Sequence, residues 1–579
     1  MAAILIIIAT YPAVFNMFSG RLPVIKTVDY CQNMWYINKV YENLVNLERE
    51  GFFRTGMVAY PFSYDIRYNI FSPVPLIIYS LIISYNCFAF SFNLLLMLVY
   101  AFNFLCMYLL ARRLIGDRIL SLASAFIFIS VPHLYWSISQ GKVEVMLIGF
   151  IPLALLYTVK MFSGEQTYKN AVFAGVYAAA TSLTYYHNIF MMFFFILLYG
   201  LIKVFYVRDG IGLYKALAAL ALLTVIAMII LAPFIATYYN VLAYEGVSKK
   251  AQNLAYHSAG EGDGIVGSLF RYPNRFHILL AFLLLITMPF AGKLPREAHL
   301  WLALLVFFWI LSLGNSFVSP GILRDMGINL KFPMPLYILR KTIPFFSRFY
   351  WPSKFSLLSY SAAAMYLMMF FKHMKGIPQG RIVKISLLVI LVTGITADMT
   401  AFSADYPYKS YRLEVPKAYS RIEGRAAVLI APLFAASQTE GIYQIWHKSP
   451  IVDIPFYMGA RSSLNDNYLK LFHGNIFLEN LTALHFDINS ASLPPLGRDD
   501  LEELRKRNIK YVLLSKNTDN RPSSNLNYLF SPSYSARLFL EFMNFNLNME
   551  DKIQKNRAYL EKILGKPVFE DEIGALFAI

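Results

Sequence analysis

The sequence predicts a polytopic α-helical membrane protein that ends in a water-soluble α/β or α+β domain. Three observations carry this. Hydrophobic residues make up 57% of the 579 and charged residues only 15%, where a soluble chain is roughly half apolar and a quarter charged. The charges gather in short clusters between apolar runs of about 20 residues, the length a helix needs to cross the hydrocarbon. Beyond residue 401 the long apolar runs stop, and twenty-one basic residues stand against twenty acidic ones.

Eleven runs qualify as spans: Ala2–Phe18, Phe88–Leu110, Ile119–Ile138, Val143–Phe162, Tyr168–Tyr186, Ile189–Val207, Tyr214–Tyr238, Phe276–Ala291, His299–Leu313, Phe355–Phe371 and Ile382–Ala401. Residues 1–19 lack a basic flank and a small-x-small cleavage site, so they read as an uncleaved span and not a signal peptide. A twelfth candidate, FSPVPLIIYSLIISY from Phe71 to Tyr85, is fifteen residues long and carries Pro73 and Pro75 near its start. Charge decides whether it crosses. If it stays in the interface, loops 111–118, 160–169, 203–215, 293–297 and 372–384 share one side, with fourteen cations against four anions. Cytoplasmic loops carry such an excess. If it crossed, all five basic loops would be exported, which costs far more than leaving a short helix on the surface. The expected topology is therefore multi-pass in the plasma membrane with a cytoplasmic N-terminus. A transmembrane domain covers 1–401, with a first outer loop at 19–87, and 402–579 is extracytoplasmic.

In the tail, AAVLIAPL (Ala426–Leu433) and IKYVLLS (Ile509–Ser515) read as buried strands. DDLEELRKRN before the second has the acidic start and basic end of a short helix. A polar helix around Met549–Leu564 and an alternating strand around Pro567–Ile579 complete a layered unit. It has neither a phosphate-cradling glycine loop nor metal-ligand spacing, so no active site is expected there. The three cysteines, Cys31, Cys87 and Cys106, also lack metal or redox spacing. A Cys31–Cys87 disulfide is the one pairing left open.

Ionisable groups inside spans mark transport pathways, yet here only Asp398, near the outer end of the last span, stands out. The outer loops hold the rest. Asp29 and Asp65 share the first loop with Arg21, Lys26, Lys39, Arg54 and Arg67, and SQGKVEVM brings Lys142 and Glu144. The loop before the eighth span adds Lys249, Lys250, Arg271 and Arg275. The loop before the tenth has Arg324, Lys331, Arg340, Lys341, Arg348 and Lys354 against Asp325 alone. Such basic outer loops suit either a phosphate held by charge-assisted bonds or anionic lipid head groups. From Asn33 onward Tyr36, Ile37, Val40, Tyr41, Leu44 and Leu47 recur at helical spacing, an amphipathic helix on the outer leaflet with Asp29 just before its first turn. Asp29 is thus a helix cap or N-terminal charge, an acid in an outer site, or both.

The order of parts resembles the GT-C class of integral membrane glycosyltransferases, in particular the branch with bacterial lipoteichoic-acid-glycosylating membrane proteins. The resemblance rests on TVDYCQNMWYI directly after span one, YPFSYDI (Tyr60–Ile66) before the non-crossing helix, and FNLLLML followed by YLLARRL in span two. SQGKVEVMLIGFIPLALL and IPFFSRFYWPSKF (Ile343–Phe355), which leads into the tenth span, complete it. It covers the whole membrane part. The resemblance implies sugar transfer from a polyprenyl-phosphate donor to a lipid, glycan or protein acceptor in contact with membrane lipid, with no nucleic acid involved. It makes Asp29 the outer-loop acid that serves as general base, or as a metal or acceptor contact. Arg348, Lys354, Arg340 and Lys341, in that order, would stabilise the charge that grows on the leaving phosphate. Asp65, Lys142, Glu144 and His187 are second-tier sugar, acceptor or metal contacts, each with a plainer reading as an interface or turn residue. The chain departs from the pattern in three places: Asp29 has no second acid close by, Lys142 stands where a histidine is expected, and Lys354 stands where an arginine is expected. A divalent metal, Mg or Mn, therefore stays an open requirement.

Two other classes compete. A lipid-linked glycan flippase or other transporter predicts charged groups along the spans, which here are aliphatic and aromatic. A non-catalytic envelope-assembly protein on the same fold differs from the enzyme only in activity. The topology is testable directly: a cysteine introduced near Arg113 should stay unlabelled by an impermeant thiol reagent in intact cells, and labelling would reverse the assignment of sides.

Overall fold

The computed structural model describes residues 1–22, 28–46, 54–55, 57, 60–61, 64–65, 72–84, 87–139, 142, 145–185, 188–208, 211–244, 277–312, 316–318, 331–343, 352–373, 380–402, 411–412, 417–422, 424, 426–432, 443–444, 447–452, 471, 474–485, 493–516, 549–572 and 574–579. It is mostly helical. Helices α1 (Ala2–Ala9) and α2 (Ala13–Ser19) open the chain, bent by 70° at their junction. A short β1 (Arg21–Leu22), α3 (Val28–Asn46), the ribbon β2 (Arg54–Thr55) and β3 (Tyr64–Asp65), and α4 (Pro73–Ser80) form the first loop. The bundle continues with α5 (Phe88–Ile115), α6 (Arg118–Ile129), α7 (Pro132–Ser139), α8 (Phe150–Phe162), α9 (Thr167–Thr184), α10 (Asn188–Ile202) and α11 (Leu213–Tyr244). After α12 (Ile278–Thr287) and α13 (Arg296–Ser312) come β4 (Ser316–Val318), β5 (Lys331–Pro333), α14 (Pro335–Thr342), α15 (Ser356–His373) and α16 (Arg381–Phe402).

Among the described residues four helices are long and apolar enough to cross a membrane, or up to six if each bent pair is one span. Their apolar side chains are not all spent on packing. Leu217, Val225, Met228, Ile229, Val389 and Ile390 are exposed in the isolated chain, an apolar surface that only lipid would solvate without aggregation. The eight residues of α4 rise about 12 Å at 1.5 Å each, far short of the roughly 30 Å of hydrocarbon.

The five basic loops meet on one face, because most of their few anions pair across loops. Arg113 meets Glu165, Lys384 Nζ lies 2.6 Å from Asp117 Oδ2, and Lys203 Nζ lies 2.7 Å from Glu297 Oε2. Ile211 N donates to Phe162 O at 3.3 Å and joins the remaining pair of loops. Asp117 also caps α6, accepting from the N–H groups of Ile119 and Leu120, the usual task of aspartate at that position. With those helix ends fixed on one face, the residues around 88–93, 130–139, 142, 185, 312, 354 and 398 belong to the opposite face.

The tail builds a four-stranded mixed sheet in the order β7 (Ala427–Ala431), β8 (Ile509–Ser515), β10 (Gly574–Ala578), β9 (Phe569–Glu570). The β7–β8 pair is parallel and the other two are antiparallel. Helices α17 (Ile476–His485), α18 (Arg498–Lys506) and α19 (Met549–Leu564) accompany the sheet, α18 and α19 packing against β8. All five residues of β7 are buried, as its unbroken apolar run requires.

Loop and tail are one structure. β1 pairs antiparallel with β6 (Tyr411–Arg412). Ile451 bridges to Val428 of β7, accepts from Tyr60 N at 3.2 Å and donates to Met57 O at 2.8 Å, so first-loop backbone extends the edge of the sheet. Trp35 Nε1 donates to Gln444 Oε1 at 2.6 Å, while Gln444 Nε2 donates to Ser449 O at 3.0 Å and to Met57 O. Glu42 meets Lys448. The stretch Met34–Val40 is consequently buried without interruption, Asn38 and Lys39 included. Over that stretch α3 is covered by protein, while its apolar Tyr41 and Val45 are exposed; polar residues of the helix serve the tail. The helix also begins one residue before Asp29, which therefore sits inside the first turn and not ahead of it. Cys87 is a free, exposed thiol, so the Cys31–Cys87 bond is not formed.

The ring of His447 stacks on Tyr419 at 4.1 Å, its Nδ1 accepts from Ser449 N at 3.0 Å, and its Nε2 is shut off from solvent. Burial, with Lys448 adding repulsion, pushes this imidazole down to about 3 from its usual 6.5. The unfolded ring binds a proton between these values and the folded one does not, so stability is full above pH 6.5 and falls as pH drops toward 3. Melting of the purified protein should lose stability by about 1.4 kcal/mol per pH unit in that window from this ring, and His447→Phe should flatten the slope.

Candidate functional site

The face opposite the paired basic loops is shaped by two polar devices that satisfy backbone groups where helices break. Pro132 cannot donate to the ladder and disfavours helix in the residue before it, so α6 and α7 meet at a 44° bend. A carbonyl freed at such a break must find a donor inside the protein. His277 supplies it: Nε2 lies 2.7 Å from Ser130 O and Nδ1 lies 2.6 Å from Asp398 Oδ2, while His277 N donates to the Tyr360 hydroxyl at 3.0 Å. A carbonyl only accepts, so Nε2 carries a proton, and Nδ1 faces the carboxylate. The intramembrane acid singled out in the sequence is thus the anchor of this junction.

The second device is Asn103, buried on α5. Its Nδ2 donates to Met146 O at 2.8 Å and its Oδ1 accepts from Gly149 N at 2.7 Å. These bonds satisfy the non-helical stretch before α8, which starts at Phe150 and not at the expected Val143. Gly149 is required there, since a Cβ would sit 2.6 Å from the Phe102 ring.

Beyond the bend, α7 presents His133, only 2% exposed. Among the described residues neither of its ring nitrogens has a hydrogen-bond partner. The charges of Lys354 and Lys142 both act on this ring. Lys354 is 5% exposed, with Nζ 2.9 Å from the centroid of the Tyr185 ring. Lys142 Nζ lies 4.9 Å from the centroid of Trp136, whose ring is 5.7 Å from that of His133. Phe355 stacks on Phe308 at 6.0 Å and seats the turn Pro352–Phe355 against α13. The result is a cluster of two ammonium groups, an imidazole and two aromatic rings, each carried by the end of an apolar helix or the turn next to one.

Of the residues proposed from sequence, Lys354 and Lys142 are brought together here. Arg340 and Lys341 fall in the last turn of α14, where cations complement the carboxyl end of the helix dipole. Arg340 is buried, while Lys341 is exposed with Nζ 5.6 Å from the Tyr337 centroid. Asp65 stands opposite Arg54 in the β2–β3 register. The side chains of Asp29 and Asp65, and the whole of Arg348, Glu144 and His187, lie outside the described residues. Among the described residues no group of three or more His, Cys, Asp or Glu could hold a metal ion. Sequence reasoning missed His133, Trp136, Tyr185 and His277. The signal for His133 was present: an ionisable residue directly after a proline inside a span is a site candidate by default.

No family model matches the chain, and no curated protein matches it. Among solved structures it is similar to the oligosaccharyltransferase of Archaeoglobus fulgidus in complex with Zn and sulfate, at 12% identity and a TM-score of 0.44 over 88% of this chain and 67% of that one. It is also similar to the arabinofuranosyltransferase AftD from Mycobacteria, at 12% identity and a TM-score of 0.41 over 88% of this chain, which spans 36% of that one.

The His277–Asp398 pair is open to a stability test. Leaving a buried hydrogen-bonding group without its partner costs about 1–3 kcal/mol, more for a charged group, so Asp398→Ala should lower the thermal midpoint in detergent, and an unchanged midpoint would show that the junction does not depend on it.

Proposed function

We propose that the chain is a membrane glycosyltransferase of GT-C type, moving a sugar from a polyprenyl-phosphate donor to a lipid, glycan or protein acceptor at the outer face. The reading includes the eleven-span topology with a cytoplasmic N-terminus and an extracytoplasmic tail. The observation that carries it is the buried Lys354 ammonium beside Lys142 and His133, on the face opposite the paired basic loops. Fixed cations at a membrane surface suit a lipid-borne phosphate, whose isoprenoid chain would lie along the exposed apolar helices.

In this mechanism the acceptor hydroxyl attacks the anomeric carbon, its proton passes to the Asp29 carboxylate, and the bond from that carbon to the phosphate oxygen breaks. The phosphate leaves with one more negative charge than it had in the ester. Lys354, with Arg348, Arg340 and Lys341, would stabilise that charge more in the transition state than in the ground state. Asp29 belongs to the first turn of α3, and α3 is fixed through Trp35 to the tail, so the tail would govern where the base stands. Asp65, Lys142, Glu144 and His187 remain second-tier contacts for sugar or acceptor. A divalent metal, Mg or Mn, would have to draw on Asp29, Asp65 or Glu144.

Purified protein given a polyprenyl-phosphate hexose and a panel of acceptors should release free polyprenyl phosphate. Asp29→Asn should reduce that release by at least 100-fold, the lower end of general-base contributions of roughly 10²–10⁴; full retention would remove Asp29 from the base role, and no release from any donor would favour a non-catalytic envelope protein.

A further inference from the structure

We infer that His133 is a phosphate ligand, acting together with Lys354 and Lys142 on one phosphate ester group. The inference deepens the sugar-transfer reading and rests on its assignment of Lys354 to the donor phosphate. Buried imidazoles nearly always find hydrogen-bond partners, and a donor left empty in a dry site is costly. His133 is buried, yet among the described residues both nitrogens are empty. The neighbours narrow the missing partner. Lys142 and Lys354 are donors only and both charges act on the ring, so a group that accepts from the imidazole and the two ammonium groups at once is an anion. Phosphate oxygens accept from ammonium and imidazole N–H alike. Trp136 and Tyr185 flank the cations with apolar ring faces, which suits an ester carrying a hydrocarbon chain. The bend at Pro132, held by His277, turns α7 away from the line of α6 and so sets where the imidazole lies.

The same chemistry could come from a polyprenyl phosphate, an anionic lipid head group or free phosphate. The experiment uses the full chain in phosphatidylcholine nanodiscs and measures the dissociation constants of farnesyl phosphate and of farnesol, its phosphate-free counterpart. The proteins are wild type, His133→Phe, His133→Asn and Lys354→Gln. Farnesyl phosphate should bind at least tenfold more tightly than farnesol. His133→Phe should remove about tenfold of that preference with farnesol binding unchanged, and His133→Asn, which keeps an N–H donor, should restore part of it. Competition by inorganic phosphate, or by phosphatidylglycerol added to the disc, supports the inference when His133→Phe abolishes it, and names the source. If Lys354→Gln loses the preference while both His133 variants keep it, His133 is no ligand and the donor-phosphate reading of Lys354 survives. If none of the three variants alters the preference, or wild type shows none, both readings fall.

Discussion

The hydrogen bond from His277 to the Ser130 carbonyl is the constraint on which the half of the helical bundle opposite the basic loops depends. A proline between two apolar helices breaks the ladder where a buried carbonyl needs a donor from the protein. One imidazole supplies it and reaches the Asp398 carboxylate with its other nitrogen. Three parts of the chain far apart in sequence are thereby pinned at one point, the ends of α6 and α16 and the start of α12. A further backbone bond to Tyr360 brings in α15. Asn103 does the same for the entry to α8 with two bonds to backbone. Both repairs lie at the end of the bundle where Lys142, Lys354 and His133 collect.

Charge is distributed between the two faces by different rules. On the face of the basic loops Glu165, Asp117 and Glu297 each meet a cation from another loop, so the excess positive charge is partly tied into a brace. On the opposite face Lys354 and Lys142 lie over aromatic rings. A ring face holds a cation in place by attraction to its quadrupole, a different kind of contact from the carboxylate pairs of Lys203 and Lys384.

Much of this was legible. The tail's strands at Ala427–Ala431 and Ile509–Ser515, and the helix Met549–Leu564, follow from runs and periodicities that local sequence fully displays. The grouping of five basic loops also followed, because membrane charge bias acts on composition and needs no knowledge of partners. What escaped depends on partners hundreds of residues away. Tyr36 and Ile37 showed the apolar stripe of α3, but nothing near them announced that Gln444 would cover the opposite side through Trp35. The stretch from Val143 read as helix until Asn103 offered its backbone a better bargain at 146–149. In the site itself Lys354 and Lys142 could be chosen by charge, while His133 became visible only once its burial and its empty nitrogens were known.

The joining of β1 to β6 and of residues 57–60 to Ile451 has a consequence for how the protein is made. Synthesis runs from the N-terminus at about 5–20 residues per second. The segment bearing Asp29 is therefore made long before the strand that receives it. For that interval of tens of seconds α3 lacks its cover, with the bonds of residues 57 and 60 to Ile451 unmade and Trp35 without Gln444. A nascent chain truncated anywhere before residue 444 would carry α3 without the partner that fixes it.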